Sequence, residues 1–167
     1  MTPMARMPSL MYNPTQSSFG AVAAELSNSP WGGRDIALII EDNEAIAGLL
    51  TILLGKSGLQ VIWCQDGRSA LEKFEQNRES IALVHSDCRL PDSDGREICQ
   101  KMRDQLPELP LVLSSGSAGC LNLGPLTSGK LVWFLPKPYS PKELLGHIRK
   151  VQEAVRPATQ AISAGFV

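Results

Sequence analysis

Residues 35–64 read DIALIIEDNEAIAGLLTILLGKSGLQVIWC. A short apolar run, Ile36 to Ile40, stops at the acidic pair Glu41 and Asp42. A stretch of helical length follows from Asn43 to Ser57, and a second apolar run covers Gln60 to Cys64. Strands that are apolar along their whole length, rather than at alternate positions, are expected where helices cover both faces of a sheet. A strand, a crossover helix and another such strand form the repeating unit of a parallel α/β sheet.

The same alternation continues outward. Further strands are predicted at Ile81 to Ser86, Leu111 to Ser115 and Leu131 to Leu135, and further helices at Gly67 to Asn77, Gly95 to Gln105 and Pro141 to Val155. In the last helix Leu144, Leu145, Ile148, Val151 and Val155 share one face, Ser140 stands at the N-cap and Pro141 at the first helical position. The fourth crossover departs from the pattern. Gly116 to Lys130 holds four glycines and a proline in fifteen residues, so a loop with at most one irregular turn is expected there.

One domain from Asp35 to Val155 accounts for this pattern. The segment 1–34 is rich in Pro, Ser, Gly and Met, carries few charges and reads as a flexible leader, within which Phe19 to Leu26 is long enough for two helical turns capped by Ser17 or Ser18. Its removal to about Gly33 is therefore expected to cost no more than about 1 kcal/mol. Residues 156–167 form a short tail, too short for an output domain, so the domain is expected to act through a protein partner.

The composition, 43% hydrophobic and 20% charged with net charge -1, gives no electrostatic grip on nucleic acid or anionic lipid. No apolar stretch approaches the roughly 20 residues that span a bilayer, and Met1 to Ala24 lacks the form of a secretory signal. A cytoplasmic protein without membrane or direct nucleic-acid contact is expected. Cys64, Cys88, Cys99 and Cys120 are scattered without metal or redox spacing and read as reduced thiols, Cys64 packing within a strand.

Polar groups gather at the carboxyl ends of the predicted strands, where open parallel sheets bind ligands. Glu41 and Asp42 end the first strand, Asp87 the third and Ser115 the fourth, and Lys137 follows the fifth by one proline. With strand order 2-1-3-4-5 the first and third strands are neighbours, which brings Asp42 toward Asp87. Carboxylates so placed repel unless a cation joins them, and Mg2+ takes one or two carboxylates with phosphate oxygens and water completing its shell. Asp87 is then the candidate nucleophile of phosphoryl transfer, with Lys137 a fixed positive charge and Ser115 a hydroxyl donor.

The segments LIIEDNE, VHSDCRLPDSDG, PLVLSSG and FLPKPYSPKELL, in this order and spacing, resemble the four signature blocks of the response regulator receiver family of two-component signalling. The resemblance covers Ile36 to about Val155. It implies a flavodoxin-like, doubly wound five-stranded sheet of order 2-1-3-4-5, with the helix of the fourth crossover short or absent. It further implies that Asp42 ligates Mg2+ directly and Glu41 through water, that Asp87 is the phosphoacceptor and that the backbone carbonyl of Arg89 is a third protein ligand. Ser115 and Phe134 match the switch pair, and Lys137 matches the family lysine, whose bond to Pro138 is commonly cis. The implied donors are a sensor histidine kinase or a histidine phosphotransfer protein, and the implied consequence of phosphorylation is altered binding of a downstream protein. Ser117 and the Gly-rich crossover resemble receivers of hybrid histidine kinases.

Blander roles suit some of the neighbouring residues. Asp92 and Asp94 read as turn residues, with Gly95 free to take positive φ, and His85 as a packed and hydrogen-bonded strand residue. Ser114 competes with Ser115 for the hydroxyl role; strand alternation and the spacing from Pro110 favour Ser115. A pseudo-receiver that docks without phosphorylation would lack part of the acid set, which is complete here. A hydrolase of the haloacid dehalogenase type needs a second Asp two residues after its nucleophile, whereas Cys88 and Arg89 follow Asp87.

Overall fold

The computed structural model describes residues 30–117, 122–128 and 130–156. Its elements are β1 (Ile36–Ile40), α1 (Glu44–Lys56), β2 (Gln60–Cys64), α2 (Gly67–Asn77), β3 (Ile81–Asp87), α3 (Gly95–Gln105), β4 (Leu111–Ser115), β5 (Val132–Pro136) and α4 (Pro141–Val155). The five strands form one parallel sheet in the order β2-β1-β3-β4-β5. β3, at the centre, is buried along its entire length.

Each face of the sheet has its own core. On one face Ala70 and Phe74 of α2 and Ile98, Cys99 and Met102 of α3 pack against Leu38, Ile40, Val84, Leu111 and Leu113. On the other, Leu50, Leu53 and Leu54 of α1 and Leu144, Ile148 and Val151 of α4 cover Ala37, Ile39, Leu83 and Val112. This double cover is the physical reason that the strands are continuous apolar runs.

The helix ends follow local capping chemistry. Asn43 is the N-cap of α1, its side chain accepting from the amides of Ala45 and Ile46. The helix closes at Gly58, whose φ of +85° lets its N–H reach the Gly55 carbonyl while the Leu59 N–H reaches Leu54. Asn43 and Ser57 are thus caps rather than helical residues. α4 starts on a reciprocal capping box between Ser140 and Glu143, with Pro141 at its first position.

Several expectations are corrected. β3 extends one residue to include Asp87, because Asp87 pairs in register with Ser114. β5 runs from Val132 to Pro136, since Val132 pairs with Leu111 and Pro136 with Ser115; a proline that cannot donate is tolerated on an edge strand. In the described part of the fourth crossover, by contrast, the helical element is a short 3-10 segment, Gly124–Ser128, in keeping with the one irregular turn expected there, and its Leu126 is buried in the core.

The largest correction lies ahead of β1. Trp31 is 3% exposed, packs in the α1/α4 core and donates its indole N–H to the Ser57 carbonyl at 2.9 Å. The packed domain therefore begins no later than Trp31, and the expectation that residues up to about Gly33 contribute little to the core does not hold at that residue. The helix expected over Phe19 to Leu26, Cys120 and the tail beyond 156 lie outside the described residues.

Candidate functional site

The carboxyl edge of the sheet carries the site, and each residue arrives there by where its strand ends. Glu41 and Asp42 follow β1, Asp87 ends β3 and Lys137 follows β5 directly. Oxygen atoms of Glu41, Asp42 and Asp87 lie within 4.8 Å of one another. The Lys137 ammonium sits against two of them, 3.0 Å from Glu41 Oε2 and 2.5 Å from Asp87 Oδ2.

Local backbone contacts fix these groups. The Asn43 amide donates to Glu41 Oε1 at 3.2 Å, and the Trp63 indole donates to the Glu41 carbonyl at 2.7 Å. The Arg89 amide donates to Asp87 Oδ1 at 3.0 Å, and the Ser86 hydroxyl donates to the Asp87 carbonyl at 2.9 Å. The Lys137–Pro138 peptide bond is cis.

Glu41 and Lys137 respond differently to burial. Loss of solvent pushes the Glu41 carboxyl above its ordinary value, outweighing the Lys137 hydrogen bond and charge that pull it down. Burial also acts to lower Lys137, but its bonds to Asp87 and Glu41 overcome this and hold the ammonium above the ordinary lysine value. The difference follows exposure, 1% for the Glu41 side chain and 19% for Lys137. Pairing dominates for the wetter partner.

Lys137→Ala removes the counter-charge of a carboxylate cluster. The cost is expected to be about 2 kcal/mol, below the range for a fully buried pair because Lys137 retains some solvent. Urea unfolding in the absence of divalent ions reads this, and an unchanged midpoint would show that the pair carries no net stability.

His85 is fully packed, as expected of a strand histidine, but the expectation that it is hydrogen bonded fails. Neither ring nitrogen has a partner among the described residues, and its ring lies edge-on to Tyr139 at 6.4 Å between centroids. Burial pulls its pKa from 6.5 to about 4, the positive Lys137 adding to this and Asp87 opposing it. The neutral ring therefore contributes stability that is present above the unfolded value of 6.5 and lost as pH falls through about 4. Within that window the slope from this one group is about 1.4 kcal/mol per pH unit. Urea midpoints at its two ends should converge in His85→Leu relative to the unsubstituted chain; equal pH slopes in the two proteins would refute the assignment.

Residues beyond the acid set complete the scaffold. Asp94 caps α3 through the Arg96 amide at 2.8 Å. Asp92 reaches across to α2 and accepts from Gly67 and Arg68 at 2.8 and 3.0 Å, so the turn also ties two helices to the loop after Asp87. Gly95 does not have positive φ, contrary to expectation. It is needed for space: a Cβ there would lie 1.9 Å from the Asp87 carbonyl oxygen and 2.7 Å from Ser86 Oγ. Sequence reading caught the turn but missed this close approach and the Trp63 contact, since neither has a local signature.

The remaining sequence candidates are placed as follows. Ser115 is buried, and its Oγ accepts from the Ser117 amide at 3.1 Å, while Ser114 Oγ has no hydrogen-bond partner among the described residues. Phe134 is half-buried against the core cluster that contains Leu113 and Leu126. Arg89 pairs with Asp94 as an isolated bridge that folds the loop after β3. Burial raises the thiols of Cys64 and of Cys99, the latter to about 12, so neither is a reactive thiolate.

A doubly wound parallel sheet with three carboxylates and a lysine at its carboxyl edge defines a class, and comparison with known proteins names it. Residues 37–149 match the family model of the response regulator receiver domain, and the chain belongs to that family. It is 32% identical over 114 residues to the sensory transduction protein RegX3 of Mycolicibacterium smegmatis, covering 68% of this chain and 49% of that one. To the response regulator MprA of Mycolicibacterium vanbaalenii it is 31% identical, covering 72% and 51%. The chain thus spans about half the length of these curated relatives.

Solved structures agree on the fold. The receiver domain of the hybrid histidine kinase CckA superposes with a TM-score of 0.59 at 30% identity, covering 70% of this chain and 98% of that one. The signal receiver domain of an HD domain-containing protein from Pseudomonas fluorescens Pf-5 gives 0.63 at 26% identity, covering 73% and 89%. The chain is therefore a receiver domain of the two-component response regulator type. Among the described residues no helix is long and apolar enough to cross a membrane.

Proposed function

We propose that this receiver accepts a phosphoryl group on Asp87 from a histidine kinase or a histidine phosphotransfer protein, and that the modified domain changes its affinity for a downstream protein. The observation that carries this reading is the convergence of Glu41, Asp42 and Asp87 with the Lys137 ammonium at one strand edge.

In the step itself an Asp87 carboxylate oxygen forms a bond to phosphorus. The bond from phosphorus to the donor nitrogen breaks, its electron pair stays on the imidazole, and that ring takes its proton from solvent. Lys137 lies where it can neutralise charge on the transferred oxygens. The all-oxygen donor set of Glu41, Asp42 and Asp87 suits magnesium, with the Arg89 carbonyl as the further candidate ligand. Bound there, the ion would supply neutralising charge to the phosphoryl oxygens.

The new negative charge would draw the Ser115 hydroxyl from the Ser117 amide by a charge-assisted hydrogen bond. That movement vacates space beside β5 into which half-buried Phe134 turns, altering the surface of β5 and α4. A net charge of -1 favours a protein as the downstream partner over nucleic acid or an anionic membrane.

Asp42 offers the sharpest test of the metal, because it is exposed and its replacement leaves the core untouched. Incubation with acetyl phosphate should add one phosphoryl group to the intact mass only when magnesium is present. Asp42→Asn should weaken both magnesium binding by calorimetry and this mass gain, with an unaltered circular dichroism spectrum. No mass gain in the unsubstituted chain with donor and magnesium present would favour a pseudo-receiver that docks without phosphorylation.

A further inference from the structure

The outer face of α1 is apolar and uncovered among the described residues. Leu49 is 36% and Ile52 58% exposed, two of the three exposed large hydrophobic side chains of the described chain, and Ala45 stands on the same face at helical spacing. This face runs into a cavity of about 510 Å³ lined by Ile46, Leu49, Gly116, Lys137, Pro138 and Tyr139. The apolar strip and the acidic pocket are therefore continuous surfaces, with Lys137 belonging to both.

The chain itself delivers a candidate occupant to this place. Trp31 is fixed on the Ser57 carbonyl, directly after α1, so the preceding residues leave the domain at that helix's C-terminal end. Phe19, Val22, Ala23 and Leu26 follow the spacing i, i+3, i+4, i+7, which places all four on one face of a helix. Trp31 lies five positions after Leu26, a stretch that can span up to roughly 17 Å. The eight residues from Phe19 to Leu26 add about 12 Å if helical, which together exceeds the length of about 20 Å for α1.

Charge agrees with that direction. Glu25 is the only acidic residue of the segment 1–29, and Lys56, in the last turn of α1, takes part in none of the ion pairs found among the described residues. A segment running back along α1 from its C-terminal end would bring Glu25 near Lys56 and Phe19 toward the cavity beside Tyr139.

We propose that Phe19–Leu26 docks intramolecularly on the outer face of α1, seating its apolar side chains against Leu49 and Ile52. Eight residues are too few to hold a helix alone, so docking and helix formation are one event.

The test uses the intact chain, isotope-labelled for nuclear magnetic resonance without any phosphodonor. Nuclear Overhauser contacts are expected from Phe19, Val22 and Leu26 to the Leu49 and Ile52 methyl groups. Both Ile52→Glu, on the exposed face, and Leu26→Glu, on the segment, should remove them and move the α1 amide resonances alike. Absence of these contacts in the unsubstituted chain overturns the proposal. So does their appearance only between labelled and unlabelled molecules in a mixed sample, which would make a second copy the occupant. Failure of phosphorylation in a separate assay would leave these contacts unaffected.

Discussion

Replacement of Asp87 by Asn is expected to abolish phosphoryl acceptance from acetyl phosphate while leaving the fold in place. The amide has no carboxylate oxygen to attack phosphorus, and the other acids of the pocket have other assignments, Glu41 paired with Lys137 and Asp42 as the proposed metal ligand. Asp92 and Asp94 are occupied by the amides at the starts of α2 and α3. The contacts that hold the position survive the change, since the amide oxygen can still accept from the Arg89 amide and Lys137 keeps its bond to Glu41. Removal of one of three clustered carboxylates also relieves repulsion. Intact mass and thermal melting read the two halves of this expectation. A variant that still gains a phosphoryl group would place the acceptor elsewhere.

Trp31→Ala is expected to cost about 4 kcal/mol of stability, in the range for truncating a buried aromatic. The indole is 3% exposed and packs in the α1/α4 core, and its N–H satisfies a carbonyl at the end of α1. Truncation leaves a cavity and one fewer donor for the last turn of that helix. Because Trp31 also fixes the start of the segment proposed to lie on α1, the variant should loosen that contact as well. Urea denaturation measures the cost. A loss under about 1 kcal/mol, as for a frayed terminus, would show that the residue is only lightly docked.

The corrections and the successes share a physical explanation. β1 and β4 were legible to the residue because burial on both faces writes them as mainly apolar runs, and the edge strand β2 because Val61, Ile62, Trp63 and Cys64 follow a glycine-ended helix. α4 was legible because Ser140 and Pro141 mark its start and Leu144, Ile148 and Val151 fall on one face. Trp31 was not, since its partner Ser57 lies 26 residues away and a lone tryptophan between Pro30 and two glycines has no periodic context. β5 shifted by one residue because register with β4, not composition, sets its start.

The site divides in the same way. Glu41, Asp42, Asp87 and Lys137 could be brought together from the sequence because parallel topology places strand ends side by side. The Lys137 contact with both Glu41 and Asp87, the Trp63 hold on Glu41 and the space that Gly95 leaves for Asp87 depend on tertiary approach. The orientation of Ser115 toward Ser117 is likewise a matter of a single side-chain rotamer, which no sequence pattern encodes.

Locating the phosphoryl group is the most direct test of the central claim. After exposure to acetyl phosphate and magnesium, borohydride reduction converts an aspartyl phosphate to homoserine, which peptide mass spectrometry can place in the chain. The expected result is a single conversion at residue 87, absent when the donor is omitted. Conversion at Asp42, Asp92 or Asp94 with residue 87 intact, or no conversion under conditions that give a mass gain, would contradict the assignment of Asp87.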